Sequence, residues 1–268
     1  MTRLERALED LRRLHPRKID LGLDRIEVVL EALGRPQDRL PPAIHVAGTN
    51  GKGSTVALLR AMLEASGARV HVYTSPHLVR FNERIVLAGE EIGDETLIHV
   101  LTRVREANGD APLSFFEATT AAAFLAFAET PADYAIVEVG LGGRYDATNV
   151  FAPALTAITP VDMDHAEFLG RELAGIAGEK AGIVKPGVPV FIAPQRDVAR
   201  QVIEMEADML GAPLQASGRD FRAYRLQDRL IFETDSELLD LPLPALAGEH
   251  QIMNAGVAIA LARALGLE

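Results

Sequence analysis

Helical and strand-like patterns of apolar residues alternate along this chain. Leu4, Ala7, Leu8, Leu11 and Leu14 recur at helical spacing and predict an opening helix. The same criterion predicts helices at residues 26–33, 55–65, 95–107, 117–129, 173–184 and 254–265. Short β-branched apolar runs predict strands at residues 43–47, 69–73, 133–139, 154–158 and 188–192. The alternation predicts an α/β fold with a doubly wound, mostly parallel sheet.

Residues 212–241 depart from this alternation. Their short segments, such as 221–226 and 229–234, have poor helical periodicity and predict a hairpin or a small antiparallel sheet. We find no repeat, low-complexity tract or convincing interdomain linker in the sequence. We therefore expect residues 1–268 to form one domain.

Composition narrows the class of protein. The chain is 48% hydrophobic and 24% charged, which is typical of a globular protein. Its net charge of -11 disfavours non-specific binding to nucleic acid or to an anionic membrane. The absence of Cys excludes disulfides, thiolate zinc sites and Cys nucleophiles. We find neither a secretory signal nor an apolar run of the ~20 residues that span a bilayer, so we expect a cytoplasmic protein.

A glycine-rich loop with a lysine lies between the predicted strand at residues 43–47 and the helix that follows. Its residues are Gly48, Thr49, Asn50, Gly51, Lys52, Gly53 and Ser54. Small residues let backbone N–H groups approach phosphates, and a helix N-terminus favours negative charge, so the order predicts a triphosphate site. The interval before Gly51-Lys52 is shorter than in the usual phosphate loop. A glycine-rich turn that binds nothing is the alternative.

Polar residues follow several other predicted strands, where ligands bind in open α/β sheets. Glu138 lies in an apolar run, where a carboxylate is costly to bury unless it is paired or metal-bound. A Mg²⁺ bound with a triphosphate takes oxygen ligands, for which Ser54, Ser75 and Glu138 are suitable. The alternatives are a partly exposed carboxylate at Glu138 and a simple turn at Ser75. His165 is a metal ligand, a phosphate donor or a helix cap.

Lys180 lies between small residues in a predicted helix. It is either solvated there or points into a metal site, where a free ammonium would oppose the cation. Carbamylation by CO₂ would turn the amine into an anionic oxygen donor and remove that conflict.

Six segments in order resemble one known family. Residues 19–26, 44–54, 74–85, 138–149, 178–183 and 250–255 are similar to folylpolyglutamate synthase/dihydrofolate synthase, a branch of the Mur ligase superfamily. In this superfamily the shorter interval of the glycine loop is the expected phosphate loop. The resemblance implies that the chain is an ATP-binding domain.

The resemblance also implies residue roles. ATP would be bound by Gly48, Thr49, Asn50, Gly51, Lys52, Gly53, Ser54 and Asn254. Ser75, Glu138 and His165 would hold Mg²⁺ at one or two sites, Lys180 would be carbamylated, and Lys52, Lys180 and His165 would serve catalysis. The folate or dihydropteroate substrate would contact Asp20, Phe115, Phe116, Glu117, Tyr145, Asp146 and Ala147.

The implied reaction is ATP-dependent addition of L-glutamate to dihydropteroate or to folate and its polyglutamates, through an acyl phosphate. Family members continue into a C-terminal Rossmann-like domain, so we expect this chain to be the ATPase domain truncated before it, a monomer with little turnover of its own. A cell-wall Mur ligase and a non-catalytic nucleotide-binding module are the alternatives.

Overall fold

The structure is a computed structural model that describes residues 2–14, 22–163, 170 and 172–267. It divides into two compact units. The first unit comprises Met1–Ala43, Arg69–Leu141 and Tyr145–Ala152, and the second comprises Ile44–Ala68, Gly142–Arg144 and Pro153–Glu268.

Helices and strands alternate through the described residues, as predicted. The helices are α1 (Arg3–Arg12), α2 (Asp24–Ala32), α3 (Lys52–Ala65), α4 (Asp94–Asn108), α5 (Phe115–Glu129), α6 (Leu173–Ala181), α7 (Asp197–Met209) and α8 (His250–Ala264). The strands are β1 (Ala43–Ala47), β2 (Val70–Tyr73), β3 (Ile85–Leu87), β4 (Glu90–Glu91), β5 (Tyr134–Glu138), β6 (Leu155–Ile158), β7 (Val190–Ile192), β8 (Leu214–Ala216), β9 (Arg222–Leu226), β10 (Arg229–Glu233) and β11 (Leu238–Pro242). Two short 3₁₀ turns are formed by Pro36–Arg39 and Phe81–Arg84.

The first unit orders its strands β4-β3-β2-β5, with β2 and β5 parallel and the two β3 pairings antiparallel. Helices α1, α2, α4 and α5 pack against one another beside these strands. Helix α5 is buried on nearly all sides, with Phe124 and Phe127 among its fully buried side chains. An all-round apolar helix is what a central core position requires.

The second unit orders its strands β1-β6-β7-β8, all parallel. Helix α3 packs against α8, and α6 packs against α7. A separate antiparallel sheet, β11-β10-β9, contacts α8 through β9. The predicted α/β class, with a mostly parallel sheet and a small antiparallel one, is confirmed.

Several boundaries differ from the sequence prediction. The antiparallel sheet begins only at Arg222, because β8 pairs in parallel with β7 through Val190 and Leu214. Helix α7 was not predicted, although Ala199, Ile203 and Ala207 are spaced so as to share one buried face. None of the helices in the described ranges is long and apolar enough to cross a membrane.

Candidate active site

The glycine loop connects β1 to α3 and is held against the segment that follows β6. Gly48 has φ +142°, and a Cβ there would lie 1.9 Å from Oγ1 of the buried Thr159. Gly51 has φ +86°, and its Cβ would lie 2.3 Å from Oδ1 of Asn254. Both positions require glycine, for its backbone conformation and for the close approach of a neighbour.

The first turn of α3 lies at the end of this loop. The helix begins at Lys52, earlier than predicted, and its N-cap Gly51 offers no side-chain acceptor to the first N–H groups. Gly53 and Ser54 belong to the same turn. Where no side chain caps a helix start, the first backbone N–H groups can donate hydrogen bonds to a bound anion.

The segment after β6 supports the loop through its backbone. The N–H groups of Thr49 and Asn50 donate to the carbonyl oxygen of Pro160 at 3.0 and 3.2 Å. The Thr49 hydroxyl lies 3.0 Å from the carbonyl oxygen of Asp162 and 3.1 Å from its N–H. Sequence reasoning did not identify Thr159 or Pro160, because neither carries a reactive group.

Two lysine ammonium groups donate to the same loop carbonyl. Nζ of Lys52 lies 3.0 Å from the carbonyl oxygen of Gly48, and Nζ of Lys180 lies 3.0 Å from the same atom. Lys180 is only 3% exposed on α6. The alternative of a solvated Lys180 is therefore wrong.

Residues 142–144 run along α6 close to Lys180. A Cβ at Gly143 would lie 2.4 Å from the carbonyl oxygen of Glu179, and the N–H of Arg144 donates to that oxygen at 2.7 Å. The Arg144 guanidinium also pairs with Glu206 of α7 at 2.9 Å. This backbone approach fixes the helical turn that carries Lys180.

Asn254 is buried on α8 beside Gly51. Its Nδ2 donates to Oε1 of Gln251 at 2.9 Å, which fixes the orientation of the amide. The predicted contact of Asn254 with ATP stays a prediction, but the structure places its side chain against the loop.

In the first unit the structure brings Ser75 and Glu138 together. Glu138 ends β5 and is 5% exposed, so the alternative of a partly exposed carboxylate is wrong. Its Oε2 accepts the N–H of Ser75 at 3.4 Å. A buried carboxylate and a neighbouring serine supply oxygen atoms of the kind that Mg²⁺ binds. Within the described residues no three His, Cys, Asp or Glu side chains cluster for metal binding. His165 and Asp20 lie outside those residues.

Phe115 and Phe116 open α5 and lie among aromatic neighbours. Phe115 packs edge-on to Phe81 at 5.8 Å between ring centroids, with the Arg12 guanidinium 5.0 Å from its centroid. Phe116 lies against the backbone of Gly140, where a Cβ would be 2.3 Å from its ring. Sequence reasoning missed Gly140, whose small size makes room for that ring.

Glu117 is occupied by structural contacts. Its backbone N–H and carboxylate form a capping box with Ser114 at the start of α5. The carboxylate also accepts from Nε of Arg25 at 3.1 Å, and the Glu117 side chain is 6% exposed. A capping carboxylate at a helix N-terminus stabilises the helix.

The loop with Tyr145, Asp146 and Ala147 is ordered by Asp146. This carboxylate accepts the N–H groups of Leu141 at 2.8 Å and Thr148 at 3.0 Å. Burial raises the pKa of Asp146, and these hydrogen bonds oppose the rise. Ala147 is buried in the core of the first unit, whereas Tyr145 is 47% exposed.

Comparison with known proteins gives this geometry a context. A family model described as the Mur ligase middle domain matches residues 46–262. A dihydrofolate synthase/folylpolyglutamate synthase of Bacillus subtilis is 40% identical over 260 residues, which cover 92% of this chain and 60% of that protein. The chain therefore spans about 60% of the length of this curated relative.

Solved structures match across nearly the whole chain. Escherichia coli FolC in complex with DHPP and ADP superposes with a TM-score of 0.91 at 36% identity, covering 99% of this chain and 63% of that one. An FPGS–AMPPCP–folate complex has a TM-score of 0.90 at 36% identity, covering 97% of this chain and 66% of that one. The extent of the family match, together with these relatives, shows that the chain belongs to the Mur ligase middle-domain family.

Proposed function

We propose that this chain is the ATP-binding part of a ligase that adds L-glutamate to dihydropteroate or to folate and its polyglutamates. The observation that carries the proposal is the loop from Gly48 to Ser54, which connects a buried parallel strand to an uncapped helix start and holds Lys52. Relatives with the same fold were solved with ADP, and with AMPPCP and folate. The Gly48–Ser54 loop, in a chain of that fold, supports binding of the same class of nucleotide.

In the reaction, a substrate carboxylate attacks the γ-phosphorus of ATP and ADP leaves. The glutamate amine then attacks the acyl phosphate, an amide forms, and phosphate and a proton are released. Lys52 would turn its ammonium from the Gly48 carbonyl oxygen to the β- and γ-phosphates, and the first N–H groups of α3 would donate to them. These groups bind and orient the charged phosphates, so the protein needs no nucleophile of its own.

We assign Mg²⁺ to Ser75, Glu138 and His165. The buried Glu138 carboxylate beside Ser75 supports this donor set. When bound, the ion would neutralise phosphate charge. The chain's contribution is to hold the carboxylate, which the Ser75 N–H orients.

We further assign a carbamate to Lys180, formed when its amine attacks CO₂ and releases a proton. Burial of Lys180 beside the phosphate loop supports the assignment, because a carbamate exchanges a buried ammonium for an anionic oxygen donor. Intact mass spectrometry under native conditions with bicarbonate should show the added mass of one CO₂, which Lys180→Met removes. An unmodified parent chain at saturating bicarbonate would refute the carbamate.

Substrate contacts are assigned to the first unit. Phe115 and Phe116 are half-buried aromatic rings that already contact Arg12 and Tyr73, and a flat pterin ring would pack against the same cluster. Glu117 and Asp146 are held by backbone and Arg25 contacts, and Tyr145 is exposed. Asp20 and Ala147 complete the proposed set.

The test is nucleotide binding by Lys52→Ala. Calorimetry with ADP and Mg²⁺ should show at least roughly tenfold weaker binding, because a charge-assisted contact to phosphate is lost. Arg60→Ala is the matched control: it removes a positive charge from the same helix, where Arg60 pairs with Glu64 at 2.7 Å. Equal affinity in parent and Lys52→Ala would overturn the phosphate assignment.

Glutamate incorporation identifies the acceptor. In the ligase of which we propose this chain to be the ATP-binding part, radiolabelled glutamate should be joined to dihydropteroate or tetrahydrofolate in a Lys52-dependent reaction. Incorporation only into a UDP-linked peptide would instead identify a cell-wall Mur ligase.

A further inference from the structure

We propose that Gln195 is a positioning residue for the phosphate loop, an inference that rests on the proposed function for its link to nucleotide. Gln195 follows β7 and is half-buried. It belongs to none of the segments that resemble the ligase family. Its side chain nevertheless contacts the segment that supports the loop.

The Gln195 amide uses both of its ends on one stretch of backbone. Its Oε1 accepts the N–H of Val161 at 2.9 Å, and its Nε2 donates to the carbonyl oxygens of Thr159 at 3.0 Å and Ile158 at 3.3 Å. A flipped amide would set Nε2 against an N–H and Oε1 against two carbonyl oxygens. The contacts therefore select one orientation and one side-chain type.

These hydrogen bonds begin where the β-ladder stops. Strands β6 and β7 pair as far as Ile158 and Ile192, and the N–H of Ala193 donates to the carbonyl oxygen of Ile158 at 3.0 Å. Beyond that point the Gln195 side chain takes the place of a paired backbone. It thereby holds residues 159–161 beyond the end of the ladder.

The held segment is the one that contacts the phosphate loop. Pro160 lies between Thr159 and Val161, which both bond to Gln195, and its carbonyl oxygen accepts the N–H groups of Thr49 and Asn50. Thr159 is the residue that approaches Gly48. Gln195 therefore acts on the loop through the backbone of residues 159–161, to which its own hydrogen bonds are made.

Amide hydrogen exchange tests this positioning without any nucleotide. Gln195→Met keeps a side chain of similar length but removes the amide. In this variant, hydrogen exchange at the Thr49 and Asn50 N–H groups should become at least roughly tenfold faster, because the local stability contributed by about one hydrogen bond is lost. Asp220→Asn is the matched control, because Asp220 also accepts a backbone N–H, that of Ala216 at 2.7 Å, but does not contact residues 158–161. In Asp220→Asn, hydrogen exchange at the Thr49 and Asn50 N–H groups should equal that of the parent.

Calorimetry with ADP and Mg²⁺ then measures the consequence. Gln195→Met should bind ADP about tenfold more weakly than the parent, while Asp220→Asn binds as the parent does. Unchanged exchange at Thr49 and Asn50 in Gln195→Met overturns the positioning role, whatever the affinities. A parent chain that binds no ADP refutes the proposed nucleotide site instead, and leaves the exchange result to decide the role of Gln195.

Discussion

Replacing Gly48 with Ala tests how closely the phosphate loop is packed. The new Cβ would lie 1.9 Å from Oγ1 and 3.0 Å from both Cβ and the carbonyl oxygen of Thr159. Thr159 is fully buried and its hydroxyl donates to the carbonyl oxygen of Ala47 at 3.2 Å, so it cannot rotate away without losing that bond. Both the backbone conformation and the contact should therefore destabilise the variant.

Two costs add up in Gly48→Ala. A side chain at φ +142° costs ~1–3 kcal/mol, and overpacking against a buried neighbour costs another ~1–3 kcal/mol. The expected loss in the free energy of unfolding is thus ~2–6 kcal/mol. Gly67→Ala is the control, because Gly67 has φ +93° but nothing within 4 Å of its Cβ. It should lose only the backbone cost of ~1–3 kcal/mol and so remain more stable than Gly48→Ala by the overpacking cost of ~1–3 kcal/mol.

Urea unfolding followed by circular dichroism measures both variants, provided that the m-values agree. Thr159→Ala in the Gly48→Ala background should recover part of the loss, because it removes Oγ1, the atom closest to the new Cβ. The double variant should therefore lose less unfolding free energy than the two single variants lose in sum. Gly48→Ala and Gly67→Ala falling within ~0.5 kcal/mol of each other would refute the reasoning, since additivity errors are of that size.

Three further predictions concern charge, burial and packing. Burial, with a smaller effect of Lys185, lowers the pKa of His45 to about 3, so below the usual pKa of 6.5 the folded state binds fewer protons than the unfolded state. Between pH 8 and pH 5 the parent should therefore lose about 2 kcal/mol more of its unfolding free energy than His45→Gln does, and equal losses in urea titrations would contradict this. Arg25→Ala leaves the buried Glu117 carboxylate without its ion pair and should cost ~2–3 kcal/mol in urea unfolding. Arg3→Ala breaks an exposed pair with Glu95 and should cost less than ~0.5 kcal/mol, and similar costs for the two variants would contradict this prediction. Gly140→Ala places a Cβ 2.3 Å from the Phe116 ring and should lower the free energy of unfolding by ~1–3 kcal/mol, part of which a second substitution, Phe116→Leu, restores. An unshifted denaturation midpoint in Gly140→Ala would show instead that the ring moves freely.

The failures of sequence prediction share a physical cause. Helix α7 has a regular buried spacing, but its many charged residues weaken the apolar signal. Strand β8 is three residues long, and its pairing with β7 depends on a partner that local sequence does not name. The sequence does not decide the environments of Glu138 and Lys180, because burial depends on packing rather than on neighbours in sequence.

The sequence by itself determined the α/β class, the order of strand, glycine loop and helix, and the residue types of the proposed ATP site. These follow from periodicity and from the local conformation that glycine permits, both of which act over a few residues. Only the tertiary structure decided that Lys180 reaches the Gly48 carbonyl across 132 residues, and that Gln195 holds the segment behind the loop. Such contacts depend on parallel strand order and register, which bring distant loops together and which no local pattern encodes.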